Sequence, residues 1–121
     1  MPVNATLTLG HIVIDGHNHL LPVEARGGVD VNGNIAMLTG SVITRNRLLS
    51  IGGGGIALTA TTGVFTMRGG TISNNISTGS NGGGGVDVRL GTFNMHGGTI
   101  SGNTATTSQG AGVHLGHALL G

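Results

Sequence analysis

The stretch Gly97-Gly98-Thr99-Ile100-Ser101-Gly102-Asn103 decides the fold, because the chain contains it twice in nearly identical form. Residues 69–75 read Gly-Gly-Thr-Ile-Ser-Asn-Asn, which differs at a single position. The match extends upstream, where residues 91–96 repeat the pattern of residues 63–68. A repeat of this size is typical of a solenoid or a related repeat architecture.

Two weaker copies precede the strong pair. Residues 34–46 align with residues 63–75, and residues 7–17 align one period earlier. Each copy is followed by a second block that starts with glycine and continues with alternating apolar residues, at Gly28, Gly55, Gly85 and Gly112. The sequence therefore predicts a single domain over 1–121, with rungs at about 7–31, 34–58, 63–88 and 91–115 and a C-terminal tail at 116–121.

Each unit contains three short apolar segments, and the first and third alternate with the period of two that is typical of strands. Segments of this length that recur in the same order stack on their equivalents and form a parallel β-helix. The predicted fold is therefore all-β, a right-handed parallel β-helix of about four triangular rungs. The apolar residues of each segment are expected to point inward and to stack from rung to rung. In the first segments they are Leu7 and Leu9, Ala36 and Leu38, Phe65 and Met67, and Phe93 and Met95; in the second, Ile14, Ile43, Ile72 and Ile100. In the third segments they are Val29 and Val31, Ile56 and Leu58, Val86 and Val88, and Val113 and Leu115.

One polar position recurs inside this pattern. It holds Asn46, Asn75 and Asn103 in three rungs and His17 in the first. Stacked asparagines hydrogen-bond along a solenoid axis and tolerate the left-handed backbone of a corner, so we predict an Asn ladder. The glycines at 52–55, 69–70, 82–85 and 97–98 are predicted to supply sharp corners with positive φ. Asn4 and Asn75 both begin glycosylation sequons; the ladder argues against modification of Asn75 and leaves Asn4 as the candidate.

The composition excludes several classes of function. Charged residues make up 7% of the chain and the net charge is +1, while 37% of the residues are hydrophobic. The five basic residues are spread along the chain without a basic run, so no nucleic-acid partner is expected. Neither a membrane-spanning helix nor a signal peptide is predicted, because no long apolar run occurs and no basic segment precedes an apolar core. No cofactor is expected.

The segment Asp15-Gly16-His17-Asn18-His19 resembles the metal-binding opening of amidohydrolases, where a strand ends in acidic and histidine ligands. Such enzymes need a barrel of about 250 residues, about twice the 121 residues present. The repeat explains His17 as a variant of the ladder position. His17 and His19 are therefore weak metal candidates, and no metal site is predicted.

The outward column of the third segment holds Asp30, Ala57, Asp87 and His114. We expect a hydrogen bond between Asp87 and His114 across one rung, on a solvated face. β-Helix enzymes that degrade polysaccharides use outward acidic columns of this kind, but here Ala57 separates the two carboxylates. A polysaccharide-degrading enzyme is therefore only a remote alternative, and no catalytic residue is predicted.

The motif Gly-Gly-Thr-Ile-Ser-Gly-Asn, with Thr92-Phe93-Asn94-Met95 before it and glycine-led Val-x-Val strands, resembles repeats of bacterial adhesin-like surface proteins. Autotransporter passengers and polymorphic outer-membrane proteins have similar right-handed β-helices. The resemblance covers residues 34–115 well and 7–31 loosely. It implies a non-catalytic body outside the cell or on its surface. The alternative is an adhesin segment that binds glycan or a host protein along one face.

The ends of the predicted solenoid suggest how the protein assembles. The chain enters the first strand at Leu7 and Leu9, and its last strand holds Val113 and Leu115, followed by Leu119 and Leu120 in the tail. Unprotected ends expose strand edges and apolar core, and solenoids ordinarily cap them. Because the last rung stops where another first segment would follow, we expect head-to-tail contact between copies of this chain, in an oligomer or filament.

Overall fold

A computed structural model describes residues 5–16, 28–48, 54–78, 83–106 and 110–115. In these ranges the regular structure consists of short strands without a helix. Their bounds are β1 (Thr6–Leu9), β2 (Val13–Asp15), β3 (Val29–Val31), β4 (Asn34–Met37), β5 (Val42–Thr44), β6 (Arg47–Leu48), β7 (Ile56–Leu58), β8 (Val64–Met67), β9 (Thr71–Ser73), β10 (Ile76–Ser77), β11 (Val86–Val88), β12 (Thr92–Met95), β13 (Thr99–Ser101), β14 (Thr104–Ala105) and β15 (Val113–Leu115).

Equivalent strands of successive repeats lie side by side in parallel sheets. Sheet one has the order β1-β4-β8-β12, sheet two β2-β5-β9-β13 and sheet three β3-β7-β11-β15. Because every pairing is parallel and joins strands one repeat apart, the chain winds as a β-solenoid, which confirms the predicted fold class. The chain makes about three turns between β1 and β12, a minor difference from the four rungs predicted.

The predicted registers of the second and third segments are confirmed. Ile14 pairs with Ile43, Ile43 with Ile72 and Ile72 with Ile100, so that one isoleucine column runs through sheet two. In sheet three, Val86 pairs with Ile56 on one side and with Val113 on the other. Like side chains stack in an apolar column because successive rungs lie only about 4.8 Å apart and share one environment.

The predicted inward residues of the second rung are wrong by one position in sheet one. Ile35 pairs with Phe65 and Met37 with Met67, whereas Ala36 and Leu38 were expected there. Ile35 and Met37 are buried, Ala36 lies between them on the outer side of β4, and Leu38 is 38% exposed. The cause is the corner that follows: four residues join β4 to β5, but three join β8 to β9. Since strand side chains alternate between faces, a one-residue slip exchanges inside and outside.

The core fills the interior of the middle rungs. Phe65, Met67, Ile72 and Leu58 have no exposed surface, and the ring of Phe65 stacks on that of Phe93 at a centroid distance of 4.7 Å. Both phenylalanines therefore point inward, as predicted. Large apolar groups on successive rungs bury each other along the axis as well as across the interior.

A further sheet, not anticipated from the repeat pattern, follows the Asn position. It consists of β6, β10 and β14, each two residues long, in the order β14-β10-β6. Two residues separate each of these strands from the preceding strand of sheet two, and the Asn is the second of them. The pattern of alternating apolar residues is too short there to predict a strand.

The substitution Ile72→Asp is expected to abolish folding, because it places a carboxylate without a partner at a position with no exposed surface. Thr99→Asp is the control, since Thr99 is exposed on the outer face of the adjacent rung and its replacement is expected to cost about 0.5 kcal/mol or less. Circular dichroism and thermal unfolding measure both. A cooperative β-rich spectrum for Ile72→Asp would contradict the core assignment.

Candidate functional site

The side chains of Asn46, Asn75 and Asn103 form a hydrogen-bonded column inside the bend after sheet two. The Asn75 Oδ1 atom accepts hydrogen bonds from the backbone N and the Nδ2 of Asn46, both at 3.0 Å. The Asn103 Oδ1 atom accepts the same pair from Asn75, at 2.9 and 3.0 Å. The second Nδ2 hydrogen of Asn75 goes to the carbonyl of Ile43 at 3.1 Å. Asn75 is buried and has all its polar atoms paired, as a buried amide requires.

The left-handed backbone lies one residue before the ladder. Arg45 and Asn74 have φ of 53° and 57°, and Gly102 has 64° at the equivalent place. The ladder asparagines themselves were expected to adopt this left-handed backbone, but positive φ lies at the residue before each of them. The turn at Arg45, Asn74 and Gly102 lets the following side chain point inward while the backbone bends.

The glycines that precede sheet three lie against the ladder. A Cβ on Gly85 would stand 2.8 Å from both the Asn103 Nδ2 and the Gly112 carbonyl oxygen. On Gly55 it would stand 2.7 Å from the Gly85 oxygen and 3.0 Å from the Asn75 Nδ2. The residues of this set, Gly28, Gly55, Gly85 and Gly112, are called the glycine column below.

The glycine runs at 52–55 and 82–85 were expected to supply positive φ, and this expectation is wrong for their described members, residues 54–55 and 83–85. Positive φ is found instead at Gly70 and Gly98, with values of 89° and 90°. The described glycines of the two runs are needed for close approach to the next rung, which leaves no room for a side chain. The sequence signal was the regular glycine before each Val-x-Val segment.

Asp87, Arg89 and His114 form a polar cluster on the outer side of sheet three. The His114 Nδ1 atom lies 3.0 Å from Asp87 Oδ1, and the Arg89 Nη2 atom lies 3.4 Å from Asp87 Oδ2. The Asp87–His114 contact was expected, but the solvated face was not found in the middle rungs, because Asp87 is 0% and Ala57 7% exposed. Each oxygen of this buried carboxylate thus has a side-chain partner. Asp30, at the first rung of the same column, is exposed.

A second ionic contact joins the first two rungs. The Arg45 Nε atom donates to Asp15 Oδ1 at 2.9 Å, and the Nη2 atom pairs with the other carboxylate oxygen. The hydrogen bond to Asp15 raises the pKa of Arg45 above its ordinary value. The guanidinium is charged at any physiological pH in any case, so this contact is a fixed link between rungs.

The two ends of the described solenoid are unequally covered. At the last rung Met95 is 47% and Leu115 66% exposed, whereas Met67 and Val88, one rung earlier, are 0% and 4% exposed. At the first rung Leu7 is 37% exposed, but Leu9 and Val31 are 5% and 1% exposed. Leu9, expected at an open end, is therefore buried. Val113 is half-buried at the last rung.

Several predicted site residues lie outside the described residues: Asn4, His17, His19, Leu119 and Leu120. Within the described ranges, no group of three or more His, Asp or Glu side chains is placed to hold a metal ion. The described part of the chain also contains no helix that is long and apolar enough to cross a membrane.

Comparisons with protein-family models, with curated proteins and with solved structures found no match to this chain. The resemblance to adhesin-type repeats therefore stays a prediction.

The substitution Asn75→Ala is expected to lower the free energy of unfolding by about 1–3 kcal/mol, because it removes the acceptor of the Asn46 backbone N and the Nδ2 group that donates to Asn103 and to the Ile43 carbonyl. Asn94→Ala is the matched control, since Asn94 is exposed on the outer face of β12. Chemical denaturation measures both. Equal stability of the two variants would show that the ladder hydrogen bonds contribute nothing net.

Two residues of the glycine column, Gly85 and Gly112, occupy equivalent positions on successive rungs and can be substituted in parallel. Gly85→Ala is expected to destabilise the fold by about 1–3 kcal/mol through overpacking against the next rung. Gly112→Ala is expected to be nearly neutral in the isolated chain, because in the described ranges the nearest atom to its Cβ position is Ile100 Cγ2 at 3.8 Å. Thermal unfolding of the two variants at low protein concentration tests this difference, and equal losses of stability would contradict it.

Proposed function

We propose that this protein is a non-catalytic structural β-solenoid whose copies stack head to tail through their ends into a fibre. The observation that carries the proposal is the exposure of the last rung. In the inward column that ends sheet three, Val31, Leu58 and Val88 are 4% exposed or less, whereas Leu115 is 66% exposed. The same column thus changes from core to surface in one step of about 4.8 Å.

An exposed apolar rung at the edge of parallel sheets favours a partner that continues those sheets. β12, β13 and β15 are the edge strands of their sheets at this end, and edge strands present unpaired backbone groups. The edge strands at the other end are β1, β2 and β3. At this end Leu9 and Val31 are covered, and the exposed residues that a second copy can meet include Thr6, Leu7 and Thr8 of β1 and Asp30 of β3.

A heterologous contact between unlike ends suits this geometry better than a twofold contact between two last rungs. A copy placed head to tail keeps all the sheets in line, because it repeats the step between rungs. A twofold axis across the solenoid would reverse the strands and bring at most one sheet into register, since the sheets are separated by corners of different lengths.

Two observations favour a structural role over the alternatives. Asp87, the carboxylate that a polysaccharide-degrading enzyme would need, is buried and paired with His114 and Arg89. A glycan-binding face ordinarily presents aromatic rings, but the chain has no Trp or Tyr and both Phe point inward. The proposed location, outside the cell or on its surface, rests on the adhesin-like repeat motif alone.

The substitution Leu115→Lys is expected to block assembly, because it places a charge on the exposed apolar rung while the interior rungs keep their contacts. Thr62→Lys adds the same charge at an exposed turn away from both ends and is expected to assemble like the wild type. Light scattering and electron microscopy at high micromolar concentration measure assembly. A wild type that stays monomeric without fibres would contradict the proposed function.

A further inference from the structure

We propose that stacked copies of this chain meet in strict register, with the Gly28 carbonyl of the next copy over Gly112 and its Asp30 beside His114. The inference rests on the proposed function and specifies the partner surface. Three features of the described rungs carry it: a repeated backbone bond, a steric limit at the glycine column and a charge column.

The backbone bond repeats at every step of sheet three. The amides of Val29, Ile56 and Val86 each donate to a carbonyl of the glycine column on the following rung, those of Gly55, Gly85 and Gly112, and all three distances are 2.9 Å. Val113 is the next residue in this series. If the pattern continues into the next copy, the Val113 amide donates a hydrogen bond to the Gly28 carbonyl of that copy.

The glycine column sets a steric condition on this contact. At each step inside the chain, the position of a glycine Cβ would lie 2.7–2.9 Å from the carbonyl of the following glycine. Among the residues that the structure describes, Gly112 has no such neighbour, and the nearest atom to its Cβ position is Ile100 Cγ2 at 3.8 Å. A copy seated in register would place the Gly28 carbonyl over Gly112, so that a side chain at residue 112 is tolerated alone but excluded from the stack.

The charge column continues in the same register. Asp87 and His114 are neighbours on successive rungs, and the next position in the column is Asp30 of the following copy. Asp30 is exposed, and 18% of the His114 side chain is exposed. Because the Nδ1 atom faces Asp87, the opposite ring nitrogen is the one available to the new carboxylate.

The charged groups around His114 are Asp87 and, bonded to that carboxylate, Arg89. The stack adds Asp30, so that a histidine lies between two acidic side chains in one cross-strand column.

The first experiment measures assembly of Gly112→Ala by sedimentation velocity, beside the wild type. The expected result is an unchanged unfolding temperature at low protein concentration and an apparent association constant reduced about tenfold or more. Leu115→Lys serves as the reference for blocked assembly. If Gly112→Ala assembles like the wild type, the in-register contact is overturned while the fibre itself stands.

Cross-linking tests the register directly, and the chain has no cysteine of its own. Thr8 and Asn94 occupy one exposed outer column of sheet one, so in-register copies bring their Cα atoms to about 4.8 Å, within disulfide range. A mixture of Thr8→Cys and Asn94→Cys chains is expected to form a covalent dimer on oxidation. Thr6→Cys with Asn94→Cys is the control, at about 8 Å and out of range.

The charge contact is tested by substitution of Asp30. Asp30→Asn is expected to weaken assembly by up to about fivefold, because it removes the carboxylate that the next copy places beside His114. Asp30 is exposed and lies three rungs from His114 in its own chain, so the monomer is expected to keep its stability.

The outcomes separate the two proposals. Monomers at high micromolar concentration overturn the proposed function and the register with it. Fibres that form without the Thr8–Asn94 disulfide overturn only the register. A disulfide in fibres whose assembly is unchanged by Asp30→Asn overturns the contact between Asp30 and His114.

Discussion

The interior of the solenoid depends on the side-chain amide of Asn75. It accepts two hydrogen bonds from Asn46, and it donates to Asn103 and to the carbonyl of Ile43, so that one buried group ties three successive rungs together. A buried amide is costly unless every donor and acceptor is paired. Its partners are available only when the rungs stand at one spacing and in one register, so the ladder selects that register.

The glycine column follows from the same constraint. With the Asn103 amide on one side and the Gly112 carbonyl on the other, Gly85 has space for hydrogen alone. The close approach lets the backbone of sheet three bond from rung to rung at 2.9 Å. The ladder and the glycine column therefore depend on each other, because the side-chain amide of an asparagine occupies the space that a Cβ on the glycine would need.

The last rung of the described solenoid lacks the following rung that covers each interior rung. Its residues correspond to buried residues of the interior rungs but lie at the end of the described solenoid; they include Met95, Gly112 and Leu115. Two ionic contacts join rungs near the ends of the described solenoid, Asp15–Arg45 between the first two and Asp87–His114 between the last two. Between the second and third rungs, the apolar core and the ladder are accompanied by a hydrogen bond from the Val64 backbone N to Asn34 Oδ1.

The sequence by itself determined the fold class, the isoleucine column of sheet two and the alignment of Asn46, Asn75 and Asn103, because equivalent residues of a regular repeat must stack on one another. Only the tertiary structure decided that Ile35 rather than Ala36 faces the core, that Asp87 is buried, and that the glycine column packs against the ladder. The physical reason is that a period identifies which residues are equivalent. One extra residue in a corner reverses the faces of a strand, and the space around a side chain depends on groups that are distant in the chain.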